Sequence, residues 1–182
     1  MQARGLLLYC VAAFGLGCQS AELVVSPGEV VTVESGDSIN GSIDCEEGML
    51  SVLPGATVNG DIEARDCVLK IGTANNGDII AVGGSLVSIQ DTTTINGDLD
   101  LEGVAKVVVV DSGFNGGLDI RGSLEVTVAN SSFNGHGDIR QAVDVVATGN
   151  DFNGDFEISD VGACIASDNT TNGDLAVADC QP

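Results

Sequence analysis

The chain has 182 residues, of which 27 are Asp or Glu and only 6 are Lys or Arg, so its formal net charge at pH 7 is −21. Binding to nucleic acid or to an anionic membrane surface needs clustered basic side chains, so this balance argues against both partners. The hydrophobic content of 43% argues against disorder, and the lack of Trp removes one of the usual aromatic platforms for stacking sugars or bases.

The first predicted element is a leader. Arg4 precedes an apolar run, and small residues follow it, which predicts a signal peptide over residues 1–17 and a single domain over residues 18–182. The run is too short to predict a transmembrane span. The Gly-Leu-Gly-Cys sequence at residues 15–18 resembles the lipobox of bacterial lipoproteins, which implies lipidation of Cys18 and attachment at the cell envelope. Cleavage near Ser20 and release from the cell is the other interpretation.

A repeat follows the leader and is marked by eight Asn-Gly pairs. Their asparagines are Asn40, Asn59, Asn76, Asn96, Asn115, Asn134, Asn153 and Asn172. The differences between neighbours are 19, 17, 20, 19, 19, 19 and 19 residues. Such a period is typical of solenoids rather than of a single globular core.

Each copy of the repeat contains two runs in which apolar and polar residues alternate, the pattern of half-buried strands. Leu118 and Ile120 hold the apolar positions of the first run in one copy, and Leu124, Val126 and Val128 hold those of the second. Two short strands and two turns fill a copy, which must stack on its neighbours to bury its apolar face. The sequence therefore predicts an all-β fold, a right-handed parallel β-helix of about eight coils.

Stacking of the copies predicts columns of identical side chains. Each Asn of an Asn-Gly pair would lie over the next, and the amides would form a structural ladder inside the turn. The Gly after each Asn would take a positive φ to let the chain turn. The residue before each Asn is mostly apolar, and Phe114, Phe133 and Phe152 are expected to stack face over face in the core.

The pattern resembles right-handed β-helix proteins, including pectate-lyase-like folds with their internal Asn ladders. The Gly-Asp-Ile and Gly-Asp-Leu copies are also similar to the repeats of bactofilins. The resemblance covers Ala21 to about Asp179 and implies the fold, but it carries over no lyase active-site residue. Bactofilins are cytoskeletal polymers without a cleaved leader, so the leader and the cysteines of this chain predict a place outside the cytoplasm.

Two of the six cysteines, Cys10 and Cys18, lie in or at the leader, and four lie in the repeat. Four cysteines allow three connectivities. Because the rod separates its two ends by several coils, we expect pairing within each end, Cys45 with Cys67 and Cys164 with Cys180. These disulfides would staple the ends of the rod in an oxidising compartment. No CxxC spacing occurs, and no metal site is predicted from the thiols.

Acidic residues form two columns that we expect on the first sheet. One column contains Asp61, Asp78, Asp98, Asp155 and Asp174, and the other contains Asp44, Glu63, Asp100, Asp119, Asp138 and Glu157. The favoured interpretation is a solvated face that keeps rods apart. Calcium bridging between coils is the other, since stacked carboxylates repel and calcium prefers oxygen ligands.

The clearest break in the repeat is at His136 and Gly137, where other copies have Asp and an apolar residue. A lone exposed His is usually a surface residue. We therefore predict an exported acidic β-helix with a structural or interaction role, without catalysis, a cofactor or nucleic acid, whose partner is a protein or an envelope component. A small polysaccharide-active β-helix enzyme is the alternative, and ice binding is disfavoured because Thr does not recur in a flat array.

Overall fold

A computed structural model of the chain describes residues 20–92, 94–178 and 180. The predicted signal peptide over residues 1–17 and the predicted lipidation site Cys18 lie outside these residues. Every regular element in the described part is a β-strand, and it contains no helix long and apolar enough to cross a membrane. The strands pair in parallel and stack as a β-solenoid of about eight turns, which confirms the predicted fold class.

Three sheets run along the solenoid. The first sheet contains Ser20–Val25, Ser38–Glu46, Ile62–Arg65, Ile79–Val82, Leu99–Glu102, Leu118–Arg121, Gly137–Arg140, Phe156–Ser159 and Leu175–Val177, with Thr57–Val58 paired to Ser38–Glu46. The second sheet contains Val30–Val33, Met49–Val52, Val68–Ile71, Leu86–Gln90, Lys106–Val110, Glu125–Ala129, Asp144–Thr148 and Ala163–Ser167. The third sheet contains Gly113–Phe114, Ser132–Phe133, Asp151–Phe152 and Thr170–Thr171.

The register follows the sequence repeat. Leu99 pairs with Leu118, and Ile120 pairs with Ile139, so equivalent positions of successive copies lie side by side. The prediction of two strands per copy is wrong for the later coils, which have three. The third is only two residues long and ends at the residue before the Asn, where the alternation is too short to be recognised as a strand.

The core is the column of inward side chains between the sheets. Leu99, Leu101, Val107 and Val109 are fully buried, as the alternation predicts. Leu124 of the predicted second run and Val143, its equivalent one copy later, are instead 56% and 50% exposed. The strands there begin one residue later, so these two side chains lie at a corner, where the period of two does not apply.

The predicted stack of three phenylalanines is confirmed. The ring centroids of Phe114 and Phe133 are 4.8 Å apart, and those of Phe133 and Phe152 are also 4.8 Å apart. Phe156 extends the stack from the first sheet, with its centroid 4.1 Å from that of Phe152. The spacing equals the rise of about 4.8 Å between parallel strands, so the backbone itself sets the stacking distance.

The turns take positive φ at other positions than predicted. The left-handed residues after the first-sheet strands are Glu47, Asp66, Gly83, Gly103, Gly122, Gln141 and Asp160. None of the Gly residues that follow the repeated Asn has a positive φ within the described part. The expectation for those glycines was wrong, and the reason that each copy needs them is the close approach of coils described below.

Both predicted disulfides are present. Cys45 pairs with Cys67, with Cα atoms 6.2 Å apart, and Cys164 pairs with Cys180, with Cα atoms 4.6 Å apart. No cysteine of the described part is free. The first bridge lies one coil inside the end, because Ser20–Val25 and Val30–Val33 precede it, whereas the second ties the last described residue back to the second sheet.

Candidate functional site

The repeated asparagines form a ladder along one corner of the solenoid. In each hydrogen bond the Nδ2 of one Asn donates to the Oδ1 of the Asn one coil earlier. Asn59 donates to Asn40 at 2.7 Å, Asn76 to Asn59 at 2.6 Å, and Asn96 to Asn76 at 2.6 Å. The ladder continues from Asn115 to Asn96, from Asn134 to Asn115 at 2.8 Å, and from Asn172 to Asn153 at 2.8 Å.

The ladder lies on the surface, so its predicted position inside the turn is wrong. All eight asparagines are exposed, because the residue before each of them occupies the inward position. The Gly after each Asn is needed because the coils approach closely there. A Cβ on Gly60 would lie 2.5 Å from the carbonyl carbon of Gly41, and a Cβ on Gly77 would lie 2.5 Å from that of Gly60.

The first acidic column has a structural use that sequence reasoning missed. It lies in the turn just before the first-sheet strands rather than on the sheet. The Oδ1 of Asp61 accepts the backbone N–H of Asp78 at 2.9 Å, and Asp98 accepts that of Gly117 at 2.6 Å. The same bond joins Asp155 to the N–H of Asp174. These carboxylates satisfy backbone donors of the next coil.

The irregular coil at His136 and Gly137 is explained by packing. Gly137 is buried, and a Cβ placed on it would lie 2.8 Å from Cδ2 of the Phe156 ring and against Phe152. In the next coil Phe156 takes the position held by Ile or Leu in most other copies. The missing side chain at Gly137 thus makes room for the oversized one at Phe156.

Restoring the repeat at this position should destabilise the protein. Gly137→Leu is expected to lower the free energy of unfolding by about 1–3 kcal/mol, because it overpacks the core. The double variant Gly137→Leu with Phe156→Leu should lose less than the sum of the two single losses, because one side chain makes room for the other. Denaturant unfolding followed by far-UV circular dichroism measures these differences. Strictly additive losses would contradict the size compensation.

The second acidic column faces outward on the first sheet and is crossed by arginines. We call Asp100, Asp119, Asp138, Arg121 and Arg140 the Asp-Arg cluster. Nη2 of Arg121 lies 3.0 Å from Oδ2 of Asp119, and Nη2 of Arg140 lies 3.1 Å from the same oxygen. Nη1 of Arg140 also contacts Oδ2 of Asp138. Two arginines therefore offset the repulsion that stacked carboxylates would otherwise have.

Burial perturbs two carboxyls of the Asp-Arg cluster. Partial burial raises the pKa of Asp100 above its ordinary value, and the charge of Asp119 adds to the rise. Partial burial also raises the pKa of Asp138, against the opposing charge of Arg140. Both groups therefore hold their protons to a higher pH than an ordinary Asp. Because the side chains of these ion pairs are partly exposed to solvent, each pair contributes under about 1 kcal/mol to stability.

The described residues contain no group of three or more His, Cys, Asp or Glu side chains placed to hold a metal ion. The two acidic columns stay apart, one in the turn and one on the sheet. The surface of the solenoid therefore has two organised polar features, the Asn ladder and the Asp-Arg cluster.

Sequence reasoning also missed a column of buried polar side chains. It lies three residues before the asparagines of the later Asn-Gly pairs. Backbone N–H of Ser112 donates to Oγ of Ser131 at 3.2 Å, and that of Ser131 donates to Oδ1 of Asn150 at 3.0 Å. Asn150 is only 1% exposed and is bonded in turn to Asn169. The recurrence of Ser and Asn at this one position of the repeat is the sequence signal that could have predicted the column.

No protein-family model, curated protein or solved structure matches the chain. The fold alone defines its class, which is that of the parallel β-solenoids.

Proposed function

We propose that the protein is an exported, acidic β-solenoid held at the cell envelope as a lipoprotein, with a structural or interaction role and no catalysis. The observation that carries the proposal is the regular stack of coils with a disulfide near each end. Disulfides persist in oxidising compartments outside the cytoplasm. The longest segment between described strands comprises only residues 91–98. The described coils therefore carry no long inserted loop that could form the wall of a cleft.

The outward face of the first sheet is the surface that we propose for interaction. It carries the Asp-Arg cluster together with Glu63, Asp44 and Glu157 of the same column. Because the formal net charge of the chain is −21, the partner that this surface would attract is a cationic segment of a protein or of an envelope component. Association should therefore weaken as salt is added.

Lipidation of Cys18 supplies a direct test of the anchor. Cys18→Ala is expected to move the protein from the membrane fraction to the soluble fraction, because multiple acyl chains are needed for stable attachment. Cys10→Ala is the matched control, since it removes a leader cysteine outside the lipobox. Fractionation of cells followed by immunoblotting reads the result, and an unchanged distribution of Cys18→Ala would contradict the anchor.

Sedimentation velocity of the mature protein with and without calcium separates a passive rod from an assembling one. A monomer indifferent to calcium supports the proposed solvated acidic surface. Calcium-dependent assembly would instead favour bridging of carboxylates between or along rods.

The second candidate is a small polysaccharide-active enzyme, and the raised pKa values in the Asp-Arg cluster are the observation that favours it. Glycosidases use a protonated carboxyl beside an ionised one. Incubation with a panel of neutral and acidic polysaccharides tests this candidate. Cleavage that is lost in Asp138→Asn would replace the first proposal.

A further inference from the structure

The Asn ladder is interrupted at one place. Nδ2 of Asn153 makes no hydrogen bond to Asn134, although the other neighbouring pairs from Asn40 to Asn172 are joined. The backbone of the two coils is also further apart there. A Cβ on Gly154 would lie 3.1 Å from the carbonyl carbon of Gly135, against 2.9 Å for Gly135 on Gly116 and for Gly173 on Gly154, and 2.5 Å for Gly60 on Gly41.

The interruption gives Asn153 a bonding pattern that the neighbouring rungs lack. Its Oδ1 accepts from Nδ2 of Asn172 at 2.8 Å, while its own Nδ2 has no acceptor within the described residues. The Gly154 N–H has no acceptor there either, which it shares with Gly97 and Gly116. In contrast, Asn96 and Asn115 are held at both ends of the side-chain amide.

We propose that Asn153 is a site of self-modification, at which the side chain deamidates by cyclising onto the backbone of Gly154. Base removes the Gly154 amide proton, and the nitrogen attacks Cγ of Asn153. The C–N bond of the side-chain amide then breaks, and the leaving NH2 group takes a proton back from the protonated base and departs as ammonia. The resulting succinimide is opened by water to Asp or isoaspartate, and no oxidant or reductant takes part. Glycine after the Asn leaves the backbone nitrogen open to this approach.

The contacts around Asn153 favour two parts of this reaction, the development of negative charge on Oδ1 and the departure of ammonia. The Asn172 N–H points at the oxygen on which negative charge develops, as in an oxyanion hole. The amide that leaves is not held by an acceptor. Asn153 is exposed, so water and base reach it.

The fold also tolerates the product better at Asn153 than at a continuous rung. An Asp at 153 still accepts from Asn172, and no ladder donor is lost. At Asn96 the same change would remove the donor to Asn76 and place a carboxylate against an amide oxygen. Asn40 also begins a run of ladder hydrogen bonds, but it lies inside the paired strand Ser38–Glu46, whereas Asn153 lies in a bend outside the strands.

The test is peptide mapping by mass spectrometry of the folded mature protein held in mildly alkaline buffer. We expect Asn153 to deamidate about fivefold faster than Asn96 or Asn134. This is the rate factor that corresponds to the free energy of one side-chain hydrogen bond. In the denatured and reduced chain the Asn-Gly pairs should react at similar rates. Equal rates at Asn153 and Asn96 in the folded protein would overturn the proposal.

A variant recreates the same arrangement elsewhere. Asn96→Ala removes the acceptor of Asn115, whose Oδ1 still accepts from Asn134. Deamidation at Asn115 should then rise about fivefold and approach that of Asn153. Asn76→Ala should do the same for Asn96, which covers a failure of the first variant to fold. An unchanged rate at the newly freed asparagine in a folded variant would also overturn the proposal.

Discussion

Phe133→Ala is expected to lower the free energy of unfolding by about 3–5 kcal/mol. Phe133 is 1% exposed and lies between the rings of Phe114 and Phe152. Truncation therefore removes two stacked contacts and leaves a cavity in the middle of the rod. Because each coil contacts only its neighbours, a cavity there weakens the only connection between the two halves of the stack.

Denaturant unfolding measured by far-UV circular dichroism is the suitable assay, since the chain has no Trp and its one Tyr is Tyr9. Phe133→Leu is the matched control, because it keeps an apolar side chain and should cost clearly less. If Phe133→Ala and Phe133→Leu had equally small effects, the phenylalanine stack would not be a main source of stability.

Removing either disulfide is expected to lower the free energy of unfolding by about 3 kcal/mol. Each bridge keeps a loop of the unfolded chain closed, and the unfolded chain gains entropy when the bridge is absent. The sequence separations are 22 residues for Cys45–Cys67 and 16 residues for Cys164–Cys180. We expect the loss to appear at the ends of the rod. Cys164→Ala should speed amide exchange after residue 160 and leave the coils around Phe133 protected.

Hydrogen exchange followed by mass spectrometry resolves this difference along the chain. Cys45→Ala is the comparison variant, and its effect should be confined to the first coils. In native protein a reductant should open Cys164–Cys180 first, since Cys45 and Cys67 are both buried and Cys180 is partly exposed. Faster exchange spread evenly over all coils would contradict the local role of the bridges.

The fold was predictable because its main signals are periodic. Equivalent residues pair in register, so the spacing of the Asn-Gly pairs alone implies stacked coils, and the residues before them imply the Phe stack. Both cysteine pairs followed from distance along the rod. Handedness and the signal peptide remain predictions from the sequence.

The side-chain directions at the corners were not predictable from the period. Asp111 and Asn130 take positive φ, with values of 50° at each, and the following Ser112 and Ser131 turn inward. The alternation of inward and outward side chains is lost at residues with positive φ. For this reason the buried polar column was missed, and Leu124, which follows Gly122 at another corner, was wrongly predicted to face the core. Contacts between coils, such as Arg140 with Asp119, depend on side-chain reach that a repeat alignment does not contain.

The ladder also gives the rod an electrical direction. The five bonds from Asn134 back to Asn40 all point the same way, from the later coil to the earlier one. Amide dipoles aligned head to tail polarise one another, so a rung in the middle is held more firmly than an isolated bond. The positive end of this array faces the first coils, and it places a patch of donor character at the Asn40 end of an otherwise strongly acidic molecule.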